Sequence, residues 1–253
     1  METANFFWHG NPLSLYEQLC ISSFVKHGFE VNVWSFMDLK IPEGATLRDA
    51  KEIISQDHLY KYTQAGKPGN IAAFSDVFRF TLMFKKPGEW WFDTDSICLK
   101  DSIEYNELKL NKKIVLAYED ENKNSSGIGA LTIPDQVVAQ EILNEQSEIC
   151  ATITDIPWGI IGPRLATNYC IKNNMEDQIL SVKVFYPIGY HEWDHIYDTS
   201  LTETLLNKIK DSHMTHLWNE ILGSQKDKNE IPPKDSFLHI MFEKYLPEVL
   251  KKV

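Results

Sequence analysis

Apolar positions along this chain change their period in a regular order, and that order predicts alternating strands and helices. The short apolar run from Asn5 to Trp8 has the length of a buried strand. Leu13 to Lys26 follows with helical spacing and stops at His27-Gly28, a helix-ending pair. Val31 to Ser35 then alternates apolar and polar residues, the mark of a second strand. A strand, a helix and a strand in succession favour parallel pairing. From Lys40 to Gly69 the pattern is broken by Pro42, Gly44, Gly66, Pro68 and Gly69, which predicts short helices and loops over a site. Helical spacing returns from Asn70 to Lys85, with Phe74, Val77, Phe78 and Leu82 on one apolar face.

Farther along, Ile114 to Tyr118 and Ala130 to Ile133 predict strands on either side of a polar loop, Glu119 to Gly129. Asp135 caps a helix running to Ile149. Trp158 to Lys172, Leu201 to Lys210 and Pro233 to Lys251 predict further helices. With no internal repeat and no linker, residues 1–253 are expected to form one α/β domain around a mixed sheet.

Composition narrows the function. The chain is 43% hydrophobic and 24% charged, ordinary for a globular protein, and no apolar run reaches the length of a membrane span. Its start, METANFFWHG, lacks the basic and apolar segments of a signal peptide. The net charge of −11 argues against nucleic acid as a partner. Weak peripheral membrane contact is left only to a small patch at Lys109, Lys112 and Lys113. Cys20, Cys98, Cys150 and Cys170 are scattered without a C-x-x-C pair, so buried thiols in a reducing compartment, the cytoplasm, are expected.

The candidate chemistry lies in AAFSDVFRFTLMFKKPGEWWFDTDSICLK, which begins at Ala72. Asp93 and Asp95 end an aromatic strand, and side chains two apart on an extended chain point the same way. Two carboxylates aimed at one point suit a hard divalent cation such as Mg²⁺ or Mn²⁺, which leaves positions open for phosphate oxygens. Asp-x-Asp arises by chance about once in such a chain, so its surroundings carry the weight. Asp76 and Arg79 share a face of the preceding helix. They read either as a surface ion pair, which spacing alone favours, or as an acid and a guanidinium fork for sugar hydroxyls and phosphate. The cluster His191, Glu192, Asp194 and His195 reads as a rim loop or solvated surface.

The run S-D-x-x-R, a hydrophobic helix, a Gly turn and an aromatic strand ending D-x-D resembles the sugar-binding region of the DXD glycosyltransferases. These GT-A-type enzymes include yeast-type mannosyltransferases, α-1,4-galactosyltransferases, bacterial capsule and lipopolysaccharide transferases, and the core of the clostridial glucosylating toxins. Three further segments match the family in order: Phe6-Phe7-Trp8-His9-Gly10-Asn11-Pro12, Gly162-Pro163-Arg164-Leu165, and His213-Met214-Thr215-His216-Leu217-Trp218-Asn219. The usual G-G turn is Pro87-Gly88 here, and Trp90 and Trp91 replace smaller residues or Tyr.

The resemblance implies a GT-A-like domain with a mixed, mostly parallel sheet flanked by helices. It implies retaining transfer of a hexose from a nucleotide-sugar, UDP-linked by default, to a glycan or lipid-linked saccharide of bacterial surface polysaccharide. Asp93 and Asp95, joined by His216, would hold Mn²⁺ or Mg²⁺. Trp8 would lie on the base, Asp76 and Arg79 on the sugar, and Asp95, Asp76 and Arg79 would carry catalysis. His213 and His216 lie an odd number of residues apart, so only one is expected to reach the metal. Without a cation the two carboxylates would repel, so Asp95→Asn is expected to hold or slightly raise the metal-free melting temperature. Two alternatives remain. Asp93-Thr94-Asp95-Ser96-Ile97 also resembles the nucleophile loop of haloacid-dehalogenase-type phosphohydrolases. A module that binds sugar nucleotide or glycan without turnover is the other.

Overall fold

The computed structural model describes residues 1–59, 61, 63–64, 71–153 and 155–251. Strand β1 (Thr3–Phe7), helix α1 (Leu15–Lys26) and strand β2 (Glu30–Ser35) form the first unit, with β1 and β2 parallel. α1 starts at a capping box, in which Ser14 accepts from the Tyr16 N–H and Glu17 accepts from the Ser14 N–H. It stops at Gly28, whose φ of 75° suits glycine best. A parallel edge strand, β3 (Ala45–Asp49), then pairs with β2 where the sequence predicts only short helices and loops. Turns of 3₁₀ helix at Ala50–Glu52 and Gln56–His58 and the short β4 (Thr63–Gln64) follow. The predicted breakers Gly66, Pro68 and Gly69, and Asn70 at the predicted helix start, lie outside the described residues.

Helix α2 (Ala72–Lys85) leads through the Pro87-Gly88 turn into β5 (Trp90–Phe92) and β6 (Ser96–Cys98). Next come α3 (Ser102–Leu108), β7 (Val115–Tyr118), β8 (Ser126–Thr132), α4 (Gln136–Thr152), β9 (Asp155–Ile156) and α5 (Pro163–Lys172). The chain closes with β10 (Ile179–Leu180), α6 (Val182–Phe185), α7 (Thr202–Lys208), β11 (Met214–His216), α8 (Asn219–Leu222), α9 (Phe237–Tyr245) and α10 (Pro247–Leu250). Pro247 has no N–H with which to continue α9, so the single helix predicted from Pro233 to Lys251 is divided.

The main sheet has the order β10-β7-β8-β5-β1-β2-β3, and β8 alone runs against its neighbours. The fold is thus α/β with a mixed, mostly parallel sheet between helical layers. β8 begins inside the predicted polar loop: Ser126 to Gly129 are buried strand residues. Trp90 and Trp91 alternate to opposite faces of the sheet. Trp91 joins the cluster of Phe7, Phe74, Phe78, Leu131 and Ile142 under α2 and α4. Trp90 joins Phe6, Phe24, Phe92, Tyr105 and Phe185 on the other side. Burying an aromatic ring of this kind stabilises the fold by roughly 1.5–3 kcal/mol.

β1 and β5 are adjacent and parallel, so the segments leaving their carboxyl ends meet in one crevice, the usual ligand position in open α/β sheets. The four cysteines are free thiols, and Cys20, Cys98 and Cys170 are buried. Lys109 bonds Glu2 and the Gly88 carbonyl, while Lys112 reaches the Asp177 carbonyl, so two lysines of the predicted patch have protein partners. Among the described residues no helix is long and apolar enough to cross a membrane.

Candidate active site

The crevice opens into a cavity of about 800 Å³ lined by Trp8, Asp76, Arg79, Asp93, Asp95 and His216 among others. Every sequence-predicted site residue is therefore brought to one place. His216 arrives through β11, which pairs antiparallel with β6 and sets His216 opposite Ser96. Its Nε2 lies 3.1 Å from Asp95 Oδ1 and 3.8 Å from Asp93 Oδ2. His213, on the opposite side, does not line the cavity.

Each carboxylate is fixed by named partners. Arg79 Nη2 donates to Asp93 Oδ1 at 2.7 Å, and Trp91 Nε1 donates to the same oxygen at 2.8 Å. Oδ2 is left turned toward His216. Arg79 is buried and lies over the Trp91 ring, 4.8 Å from its centroid. The surface ion pair favoured by spacing is thus replaced by a buried fork that holds Asp93 more closely than Asp76, which lies 3.6 Å from Nη1.

Asp95 is wrapped by backbone. The Leu217 N–H donates to its carbonyl at 2.9 Å, and the Asn219 N–H donates to Oδ2 at 2.8 Å. Between them the Trp218 N–H points at His216 Nδ1, 3.1 Å away, a contact that is a hydrogen bond only when that nitrogen carries no proton. This convergence needs Trp218 at φ 57°, a conformation costing a bulky residue about 1–2 kcal/mol.

Charges follow the geometry. Burial pushes the Asp93 carboxyl upward, but Arg79 and hydrogen bonds from His216 and Trp91 hold it below its ordinary value. Burial opposes a charge on His216, yet Asp95 beside it and hydrogen bonds to both carboxylates lift its pKa to about 10. Asp76 is raised to about 6 by burial, which Arg79 only partly offsets. Glycines make room for these groups. A Cβ on Gly162 would lie 2.2 Å from Asp76 Oδ2, and one on Gly129 would lie 3.1 Å from both Asp93 Oδ2 and His216 Nε2.

Asp93, Asp95 and His216 are the group of possible metal ligands found among the described residues, with one donor atom from each within 4.8 Å of the others. Two carboxylates that converge with an imidazole, beside the bare Gly129, fit a hard divalent ion. The imidazole fits by distance. Ligation through Nε2 would leave the ring proton on Nδ1, and the Trp218 N–H now pointing there would have to turn away.

Sequence reasoning missed several groups in the cavity. Glu119 lines it from the end of β7, its carboxyl raised by burial with Asp93 and Asp120 adding to the effect. Tyr186 packs on Gly127, where a Cβ would lie 2.4 Å from the hydroxyl. Lys228 binds the fully buried Glu17 and lies 5.7 Å from the centroid of the Trp8 ring. His191, Glu192, Asp194 and His195 stand outside the cavity lining, with Glu192 tied to Lys208 at 2.5 Å. A signal for the glycines was present in Gly127-x-Gly129, a period-two bare stripe on one face of a strand.

Comparison with known proteins follows the same line. Residues 156–253 match the alpha 1,4-glycosyltransferase conserved region, a segment that contains Gly162-Pro163-Arg164-Leu165 and His216. A human alpha-1,4-N-acetylglucosaminyltransferase is 25% identical over 190 residues, covering 70% of this chain and 51% of the human protein. The chain thus spans about half the length of that relative. Its fold matches the apo structure of the bifunctional glycosyltransferase WbbM at TM-score 0.53 and 9% identity, over 99% of this chain and 51% of the other. It also matches apo GlyE, a glycosyltransferase of Streptococcus pneumoniae, at TM-score 0.51 and 15% identity, over 100% of this chain and 63% of the other.

Proposed function

We propose that this chain, a GT-A-type glycosyltransferase by fold and by its matching C-terminal segment, is a metal-dependent retaining enzyme acting on a UDP-linked sugar. The observation that carries this is the convergence of Asp93, Asp95 and His216 at the floor of a cavity that also holds Asp76 and Trp8. The transferred group is a hexose or N-acetylhexosamine; the name of the human relative points to the latter and to an alpha linkage. An alpha product from an alpha-linked donor means retention. The acceptor we assign is a saccharide, free or lipid-linked, of the kind built into bacterial surface polysaccharide.

The residues divide the work as follows. Asp93 and Asp95 would hold Mn²⁺ or Mg²⁺, with His216 Nε2 as a third ligand once the Trp218 N–H turns away from Nδ1. Bound there, the ion supplies positive charge for the diphosphate that leaves as the anomeric bond breaks. Opposite unit charges about 4 Å apart interact by roughly 4 kcal/mol at an effective dielectric of 20, so this placement outweighs any single sugar contact. Arg79 keeps Asp93 in place from a buried position and leaves Asp76 to accept from sugar hydroxyls. Trp8 offers its free face to the base, with the Lys228 ammonium 5.7 Å from the ring centroid. The phosphohydrolase reading asks Asp93 to attack phosphorus, whereas Arg79 and Trp91 occupy one of its oxygens and the fold is that of transferases.

The test is release of UDP from UDP-galactose, UDP-glucose and UDP-N-acetylglucosamine with Mn²⁺, repeated in excess chelator. Slow UDP release that stops on chelation is the expected result. Undiminished release under chelation would remove the metal role, and no release from any donor would remove the transferase reading.

A further inference from the structure

Among the described residues, two large aromatic side chains are strongly exposed, Trp158 at 55% and Tyr190 at 54%. Both line the cavity of the candidate active site. The exposed large aliphatic residues Met1, Met37, Ile103, Leu110, Val137 and Ile171 all lie elsewhere. Scattered exposed apolar residues need no explanation, but aromatic faces left open only around one cavity mark a ligand surface. Their placement is also built. Trp158 sits on a turn held by Gly159 at φ 79°, whose Cβ would meet Pro163 at 3.3 Å and Arg164 at 3.5 Å. The Arg164 guanidinium lies over the indole, 6.0 Å from its centroid, which leaves the opposite face for another group. Tyr190 meets Trp218 edge-on at 6.2 Å, at the outer end of an aromatic series that reaches His216 4.6 Å from Trp218.

We propose that Trp158 and Tyr190 form the acceptor subsite, a stacking platform for the apolar C–H face of a pyranose ring. The proposal rests on the transferase reading and extends it to the second substrate. A pyranose with an axial hydroxyl, such as galactose, gathers its C–H groups on one face and is the best match to an open indole. Polar ring hydroxyls then remain free to point inward, toward Glu119 and the donor. Both aromatic groups stand outside the set of residues that hold the carboxylates, so they select the acceptor rather than activate the donor.

Two measurements test this with methyl β-galactoside, methyl β-glucoside, lactose and maltose as probes, and glycerol as control. In the first, each sugar is titrated into the protein at up to tens of millimolar while tryptophan fluorescence is followed. A saturable change with the galactosides in the parent, lost in Trp158→Ala and retained in Tyr190→Phe, is expected. No response to any sugar overturns the platform, as does a response unchanged in both Trp158→Ala and Tyr190→Ala. In the second, sugar-stimulated UDP release is measured. Trp158→Ala and Tyr190→Ala should lose about tenfold in kcat/KM for the sugar, mainly through KM, with Trp158→Phe recovering most of it. A loss confined to kcat or to the KM of the donor overturns the proposal. If no donor is turned over at all, the transferase reading fails, and the fluorescence titration still decides whether a sugar binds here.

Discussion

Asp76→Asn separates a functional carboxylate from a structural one by the sign of its effect on stability. In the folded protein the Asp76 pKa stands at about 6 against an ordinary 3.8, because burial penalises the charge more than Arg79 compensates at 3.6 Å. A raised carboxylate pKa means that the native state binds the proton more tightly than the unfolded chain. Below the ordinary value both states are protonated and nothing is lost. As pH rises toward 6 the unfolded chain ionises first, stability falls, and the deficit persists at neutral pH. About two pKa units at 1.36 kcal/mol each set an upper bound near 3 kcal/mol. The asparagine amide, itself half-satisfied beside Gly162, takes back roughly 1–2 kcal/mol of this. A net gain of about 1 kcal/mol at pH 7.5 should raise Tm by about 2–4 °C, and it should reverse into a loss toward pH 4, where only the cost of the amide remains. Turnover should fall at least about tenfold, since the sugar loses its acceptor group. Scanning calorimetry at several pH values, paired with UDP release, checks both. A Tm lowered at pH 7.5, as breaking a buried ion pair by about 3–5 kcal/mol would give, refutes the reasoning and makes Asp76 a structural partner of Arg79.

Three further variants are informative. Asp95→Asn should cut the rate at least about a hundredfold. It should also lower the metal-free Tm, because Asp95 accepts from Asn219 at 2.8 Å and faces His216 at 3.1 Å; the rise expected from two carboxylates repelling does not survive the imidazole between them. Gly129→Ala places a methyl 3.1 Å from Asp93 Oδ2 and His216 Nε2, so UDP release should drop tenfold or more with an unchanged circular dichroism spectrum. Trp8→Ala should abolish the thermal stabilisation given by UDP with Mn²⁺ while leaving the response to Mn²⁺ alone, and equal shifts in parent and variant would take the base off this ring.

What was legible in the sequence was what neighbouring residues decide among themselves. The helix that stops at Gly28 and the cap at Asp135 both follow from a few adjacent side chains. The aim of Asp93 and Asp95 follows from the two-residue period of an extended chain. Pairing across the fold was not legible in the same way. Helical spacing joins Arg79 to Asp76, but only the packing of α2 against β5 shows that Asp93 is its nearer partner. β3 escaped because its pairing with β2 is a contact across the fold that its short, mixed run Ala45 to Asp49 does not announce.

The N-terminal half of β8 and the turn at Trp218 failed for a more telling reason. Ser126-Gly127-Ile128-Gly129 has poor strand propensity, since glycine contributes no side chain to pack. The sheet accepts that weakness because the bare face admits Tyr186 at Gly127 and the Asp93–His216 pair at Gly129. Trp218 is a bulky residue in a left-handed conformation, where local rules call for glycine. Its strain is held by three successive N–H groups closing on Asp95 and His216. Local preference is thus overridden around the same three side chains from two directions, once by giving up packing and once by storing strain. A fold has no structural reason to do both at one point. The two departures therefore support, independently of family likeness, a site selected for the ligand it holds.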